Sequence, residues 1–300
     1  MIASQFVRQY AVGAGVADDV ATQEIVLTYV LQHIHELGLW ARLAFKGGTS
    51  LRKTLFAETG RFSQDLDLLA LDDSRPRPED LLVDGMSRAP FHGIAFSASS
   101  IRYSAIGNFG AQIEYAADGA QGLIEIQVSH RPDLVLPVIK LPLLPQSYFA
   151  RLEFEPVAVT NLNPIEMLAE KILACGRRLL GGSGKDVYDL YQFCQRPIDF
   201  ETLRPLVCAK AWTDGVEFDP QRFLDRLEPR NFNWEELRGL LRRNQTHDQA
   251  KACAEVRARF HHLVELTPQE VDILADATRH QKRQAYDGLA EIIRGRAQTL

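Results

Sequence analysis

The sequence predicts an α/β protein, α+β in its arrangement: a mixed sheet flanked by helices in the N-terminal half, then a mostly α-helical C-terminal half. Three observations predict it. Short apolar or alternating runs, the periodicity of strands, cluster between residues 43 and 130. Gly, Asn and Asp turn signals separate the later runs, as in an antiparallel meander. From about Asn161 onward apolar residues recur at helical spacing, so residues 1–160 and 161–300 are the expected domains.

Residues 4–37 read as helix, because Val20, Ile25, Val26, Tyr29, Val30 and Ile34 recur at helical spacing. The apolar "LAF" ending at Phe45 is a short buried strand that runs into Lys46-Gly47-Gly48 and a helical "TSLRKTLFAE". "SQDLDLLAL" alternates as a strand does, with Asp65 and Asp67 on one face and Leu66 and Leu68 on the other. "GIAFSASSIRYSA", "FGAQIEYAA" and "GLIEIQVSH" continue the sheet, whereas the proline-punctuated "RPDLVLPVIKLPLLP" is expected to be irregular. "NLNPIEMLAEKILACGRRLL" is a helix with Asn163 as N-cap, Pro164 in its first turn and Glu166 placed to close a capping box. Further helices are expected at 185–195, 200–212, 220–228, 233–243, 248–264 and 267–295.

Composition excludes several classes. With 46% hydrophobic and 24% charged residues in 300, the chain is a soluble globular protein with a real core. No run approaches the roughly 20 apolar residues that span a bilayer, and the N-terminus lacks a secretory signal pattern. Cys175, Cys194, Cys208 and Cys253 form no CxxC pair, which fits reduced thiols in the cytoplasm and argues against structural zinc. A net charge of −5 argues against wholesale electrostatic binding of nucleic acid. The basic clusters "GRRLLGGSGK", "RGLLRRN" and "RHQKRQ" read as solvated helix faces as readily as local patches.

The chemistry-bearing stretch is "FKGGTSLRKTLFAETGRFSQDLDLLAL". Two carboxylates at i, i+2 on a strand point the same way and can hold hard divalent cations. Free backbone N–H groups at a glycine-opened helix start suit a phosphate, with Thr49, Ser50 and Ser63 as hydroxyl donors and Arg61 as a counter-charge. The same residues also make a Ser/Thr-capped tight turn beside a polar strand edge, and both readings stand on this segment alone. Elsewhere, "LLGGSGKD" fails as a P-loop, His33 and His35 face apart on their helix, and no GxSxG elbow is present.

Lys46-Gly47-Gly48-Thr49-Ser50-Leu51 and Arg61-Phe62-Ser63-Gln64-Asp65-Leu66-Asp67, followed by "PIEMLAEKILACGRRLLGGSGKDVYDLYQF", resemble the AbiEii/AbiGii toxin family. That family includes the MenT-type toxins and has the nucleotidyltransferase fold of the DNA polymerase β type. The motifs span residues 45–193. The resemblance implies an Mg²⁺-dependent nucleotidyltransferase, with Mn²⁺ as the alternative ion, moving a nucleoside monophosphate from an NTP to an acceptor. It implies Asp65 and Asp67 as metal ligands, Lys171 on the triphosphate, and Asp186 as a further acid needed for activity. Lys46, Gly47, Gly48, Thr49, Ser50, Arg61 and Ser63 would form the phosphate-binding region. Gln127 stands where many relatives carry a third acid, so either Glu125 on the same face substitutes for it or the site runs on two aspartates.

The implied role is a bacterial toxin restrained by a cognate antitoxin, with a tRNA 3′ end as acceptor and Arg177, Arg178 and Lys185 available to RNA. On Lys171 the residues alone also allow a surface lysine, and Asp186 also suits a helix N-terminus with Asp189 pairing an arginine. Two other functions remain in view: transfer to a small molecule or protein side chain, and a catalytically inactive nucleotide-binding module.

Overall fold

A computed structural model of the protein describes residues 4–104, 107–130, 134–177, 181–245 and 248–297. The chain divides into two compact units. The first comprises Met1–Pro132, Val138–Leu162 and Gly239–Thr246; the second comprises Asp133–Pro137, Asn163–Arg238 and His247–Leu300.

The first unit opens with two helices where the spacing predicts one: α1 (Ser4–Ala14) and α2 (Asp18–Glu36). Gly15 parts them at a φ of +70°, the left-handed conformation that ends helices and that glycine adopts most cheaply. Ile25, Val26, Leu27, Val30, Leu31 and Ile34 of α2 are all within 1% of full burial, so this helix lies inside its unit. Next come β1 (Leu43–Lys46) and α3 (Gly47–Ser50), the latter running on as a π-helical turn over Leu51–Phe56. β2 (Asp65–Ala70), α4 (Pro78–Arg88), β3 (Ala95–Tyr103), β4 (Phe109–Ala117), β5 (Ala120–His130), β6 (Ile139–Pro142) and β7 (Ala158–Asn161) complete the unit.

The seven strands form one mixed sheet in the order β3-β4-β5-β2-β1-β7-β6. β3, β4 and β5 are the expected antiparallel meander, and β5 then joins β2 in parallel. β6 departs from expectation, since residues 139–142 of the proline-rich stretch pair with β7. An edge strand accommodates Pro142, whose missing N–H is not needed on the outer side. Phe45, Leu66, Leu68, Ile113, Ile126 and Val128 are fully buried and belong to one core.

The second unit is helical apart from a short parallel pair. Its elements are α5 (Pro164–Arg177), β8 (Gly182–Ser183), α6 (Gly184–Cys194), α7 (Phe200–Thr213), α8 (Pro220–Asp225), β9 (Phe232–Asn233), α9 (Gln249–Arg259), α10 (Pro268–Asp276) and α11 (Arg283–Ala297). Asn163 caps α5 by accepting the Ile165 N–H at 3.1 Å. Glu166 is committed elsewhere than the expected capping box: it is fully buried and accepts the Val135 and Leu136 N–H groups at 3.3 Å and Lys210 Nζ at 3.2 Å.

The expected helix at 233–243 shrinks to the turn Trp234–Leu237, with Gly239 at a φ of +77° just beyond it. Residues 267–295 form two helices, broken where His280 takes a positive φ and Asp276 accepts the Lys282 N–H. Among the described residues no helix is long and apolar enough to cross a membrane.

Candidate active site

Strand register gathers the acidic residues of the first unit. The antiparallel β1–β2 pairing sets Lys46 opposite Asp67, and the parallel β2–β5 pairing sets Asp65 beside Glu125 and Asp67 beside Gln127. Paired positions share a sheet face, so Lys46, Asp65, Asp67, Glu125 and Gln127 line the face opposite Leu66 and Leu68. Asp65 is exposed and Asp67 half-buried. Glu125 is engaged on that face: Gln127 Nε2 donates to it at 3.2 Å, and Arg102 Nη2 lies 3.6 Å away. Among the described residues no three His, Cys, Asp or Glu side chains converge as a metal-binding group. The local oxygen donors on β2 are therefore Asp65 and Asp67, with Glu125 one strand away.

The glycines are required by close approach. Gly47 has a φ of +77°, and a Cβ there would run into the Asp67 carboxylate. A Cβ on Gly48 would collide with the Arg61 guanidinium and come within 3.2 Å of Ser63 Oγ. Gly47, Gly48, Arg61, Ser63 and Asp67 are thus packed together, with Arg61 and Ser63 buried.

Thr49 and Ser50 are hydrogen-bonded within the fold. Thr49 Oγ1 donates to the Asp65 carbonyl, and Ser50 Oγ donates to Asn161 Oδ1 at 2.6 Å. Both residues are buried, so these two hydroxyls brace the loop against β2 and β7.

Two supports carry no sequence signal. Gln23 of α2 donates from Nε2 to the carbonyls of Gln64 at 2.8 Å and Leu123 at 2.9 Å, pinning the residue before Asp65 to β5. Beneath the loop, Glu24 faces Arg52 Nε and Lys53 Nζ, each at 3.1 Å, with all three side chains within 2% of full burial. Burial pushes the Glu24 carboxyl up, but the adjacent Arg52 and Lys53 charges outweigh it and hold it below its ordinary value. Burial pushes the Lys53 ammonium down to about 8 against the pull of Glu24.

Because the folded Glu24 value lies below the unfolded one, its contribution to stability is complete above the unfolded pKa of about 4.3 and is lost as pH falls through the folded value. Urea denaturation midpoints are therefore expected to fall between about pH 5 and pH 3. The fall should be shallower in a Glu24→Gln, Lys53→Met double variant, and equal slopes would contradict the assignment.

In the second unit, Lys171 of α5 reaches across to α6. Its Nζ lies 2.8 Å from Asp186 Oδ1 and 2.9 Å from Asp189 Oδ2, with the Asp189 side chain 2% exposed. Asp189 thus pairs Lys171, which is no loose surface residue. Lys171→Met removes the cation that bridges Asp186 and the buried Asp189. A loss of about 2 kcal/mol is expected by urea titration, less than the roughly 3–5 of fully buried pairs because Lys171 and Asp186 keep some solvent contact.

Arg177 is ion-paired with Asp214, and Lys185 is half-buried at the start of α6; Arg178 lies outside the described residues. Members of the other basic clusters are paired too: Arg238 with Glu235, Arg242 with Glu58, Lys282 with Asp272 and Arg283 with Asp287. All four cysteines are free.

Residues 30–285 match the family model of the AbiEii nucleotidyl transferase toxin of type IV toxin–antitoxin systems. Among solved structures, MenT4, a nucleotidyltransferase toxin from Mycobacterium tuberculosis H37Rv, is similar at 26% identity and a TM-score of 0.81, over 98% of this chain and all of that one. JHP933 from Helicobacter pylori shares the fold at 14% identity and a TM-score of 0.50, over 83% of this chain and 94% of that one. No curated protein matches the chain.

Proposed function

The chain belongs to the family of AbiEii nucleotidyltransferase toxins of type IV toxin–antitoxin systems, and from that premise we propose that it transfers a nucleoside monophosphate from an NTP to a tRNA 3′ end with the help of Mg²⁺. The observation that carries the reading is the packing of Gly47 directly beneath the Asp67 carboxylate, on the sheet face that also bears Asp65. Two hard oxygen donors at i, i+2 and a cradle that any Cβ would fill suit a small divalent ion, Mg²⁺ or Mn²⁺, held with a triphosphate. When bound, such an ion neutralises phosphate charge and lowers the pKa of the acceptor hydroxyl.

The chain's own residues bind and orient. The glycines let the Asp67 carboxylate and the Arg61 guanidinium pack directly on the Lys46–Gly48 backbone, and Arg61 and Ser63 supply N–H and O–H donors there for anionic oxygens. Asp65 and Asp67 provide fixed negative charge on a rigid strand. Within its own unit, Lys171 is held by Asp186 and Asp189.

A type IV toxin implies a cognate antitoxin as partner, and we place the protein in the cytoplasm. A second reading, transfer to a small molecule or a protein side chain, is favoured by the local ion pairing of the basic clusters and by the net charge of −5. Incubation with each labelled NTP, Mg²⁺, and total cellular RNA or protein separates them. Label at tRNA 3′ ends supports the first reading, and label confined to protein or small molecules overturns it. A chain that neither transfers label nor binds NTP with Mg²⁺ would be the inactive module.

A further inference from the structure

The strongest unexplained feature is the buried ionic cluster below the glycine loop. A carboxylate and two cations withdrawn from water carry a large desolvation cost, which apolar residues of similar volume would avoid. Each charge is nonetheless placed with several partners. Lys53 Nζ donates to the Glu24 carbonyl at 2.9 Å, Thr28 Oγ1 at 2.9 Å and the Tyr148 hydroxyl at 3.0 Å. Tyr148, itself fully buried, also meets Thr28 Oγ1 at 2.8 Å and Glu24 Oε1 at 3.3 Å.

Arg52 reaches furthest. Beyond its Glu24 contact, Nη1 donates to the carbonyls of Gly60 at 2.7 Å and Ala57 at 3.2 Å, and the guanidinium lies 3.8 Å over the Phe62 ring. Ala57 is held at a φ of +48°, a costly backbone conformation for alanine that persists only where its surroundings enforce it. The π-helical turn makes this possible: Arg52 and Lys53 both point inward from a segment that begins at the glycine loop. One guanidinium therefore ties that turn to the segment leading through Arg61 and Ser63 into Asp65.

We infer that Arg52 is a positioning residue for nucleotide binding, which with Glu24, Lys53 and Tyr148 fixes residues 57–62 and thereby sets Arg61 and Asp65 against the glycine loop. The inference rests on the nucleotidyltransferase reading of Asp65 and Asp67. Arg52→Lys keeps a cation beside Glu24 but lacks the planar fork that serves Gly60 and Ala57 together.

The test is calorimetric titration of the full chain with Mg²⁺ and each of ATP, CTP, GTP and UTP, followed by the same titration of variants with the best binder. Arg52→Lys is expected to raise Kd about tenfold, because small misplacements of binding groups weaken contacts steeply, while the titration still reports one site per folded chain. Tyr148→Phe, a gentler change that keeps the ring, is expected to raise it roughly twofold. A purely structural role predicts the opposite pattern: fewer competent molecules in proportion to the unfolded fraction and an unchanged Kd. Unchanged Kd in both variants overturns the inference.

Asp65→Ala in parallel separates the two levels. Loss of Mg²⁺-dependent binding there, with wild-type Kd in Arg52→Lys and Tyr148→Phe, removes only the positioning role. Undiminished Mg²⁺-dependent binding by Asp65→Ala removes the metal reading and the inference with it.

Discussion

Asp65→Ala is expected to lower label transfer from NTP by at least roughly a thousandfold, beyond the 10²–10³ typical of losing one stabilising donor. Growth inhibition on expression should disappear with it. Stability should be nearly unaffected: Asp65 is exposed, and exposed substitutions usually move it by less than about 0.5 kcal/mol. A matched urea titration and transfer assay checks this. Inactivity with a large loss of stability would show that the residue holds the sheet and would leave its chemical role unsupported.

Gly47→Ala is the second change with a large expected effect, and it adds one methyl group. That methyl must occupy the space of the Asp67 carboxylate while the backbone keeps a φ of +77°. The conformation alone costs about 1–2 kcal/mol for an L-residue. The displaced carboxylate should cost transfer on the order of a hundredfold, as misplacements near 1 Å do. Gly48→Ala provides a comparison, since its Cβ would meet the end of Arg61, a longer and more yielding side chain. Transfer assays ranking Gly48→Ala as the more damaging of the two would contradict the geometry.

The alternation of "SQDLDLLAL" makes one acidic and one apolar face legible in the amino-acid order itself, and the glycine doublet marks the helix start. What periodicity does not carry is pairing between distant segments. Only the parallel β2–β5 register tells that Asp65 neighbours Glu125, and it comes from strands some sixty residues apart in sequence. Local sequence names the Thr49 and Ser50 hydroxyls without saying what they bond. Their partners, the Asp65 carbonyl and Asn161, are tertiary.

Arg52 and Lys53 are hidden for another reason. In "TSLRKTLF" adjacent basic residues look like a solvated face, and the π-helical turn changes which positions turn inward. Lys171 is picked out by motif resemblance, but its partnership with Asp186 and Asp189 depends on how α5 packs on α6. The split of residues 267–295 is likewise tertiary, since the Asp276 carboxylate serves Trp212 Nε1 and the Lys282 N–H at the break.

The two-faced character of β2 also makes a statement about inheritance. Leu66 and Leu68 are wholly buried, whereas Asp65 and Asp67 on the alternate positions are not. Variants selected for survival when this chain is produced without its restraining partner should fall into two classes with a spacing of two along the strand. Changes at Leu66 and Leu68 should spare the host by removing the protein from the soluble pool. Changes at Asp65 and Asp67 should spare it while leaving abundance intact.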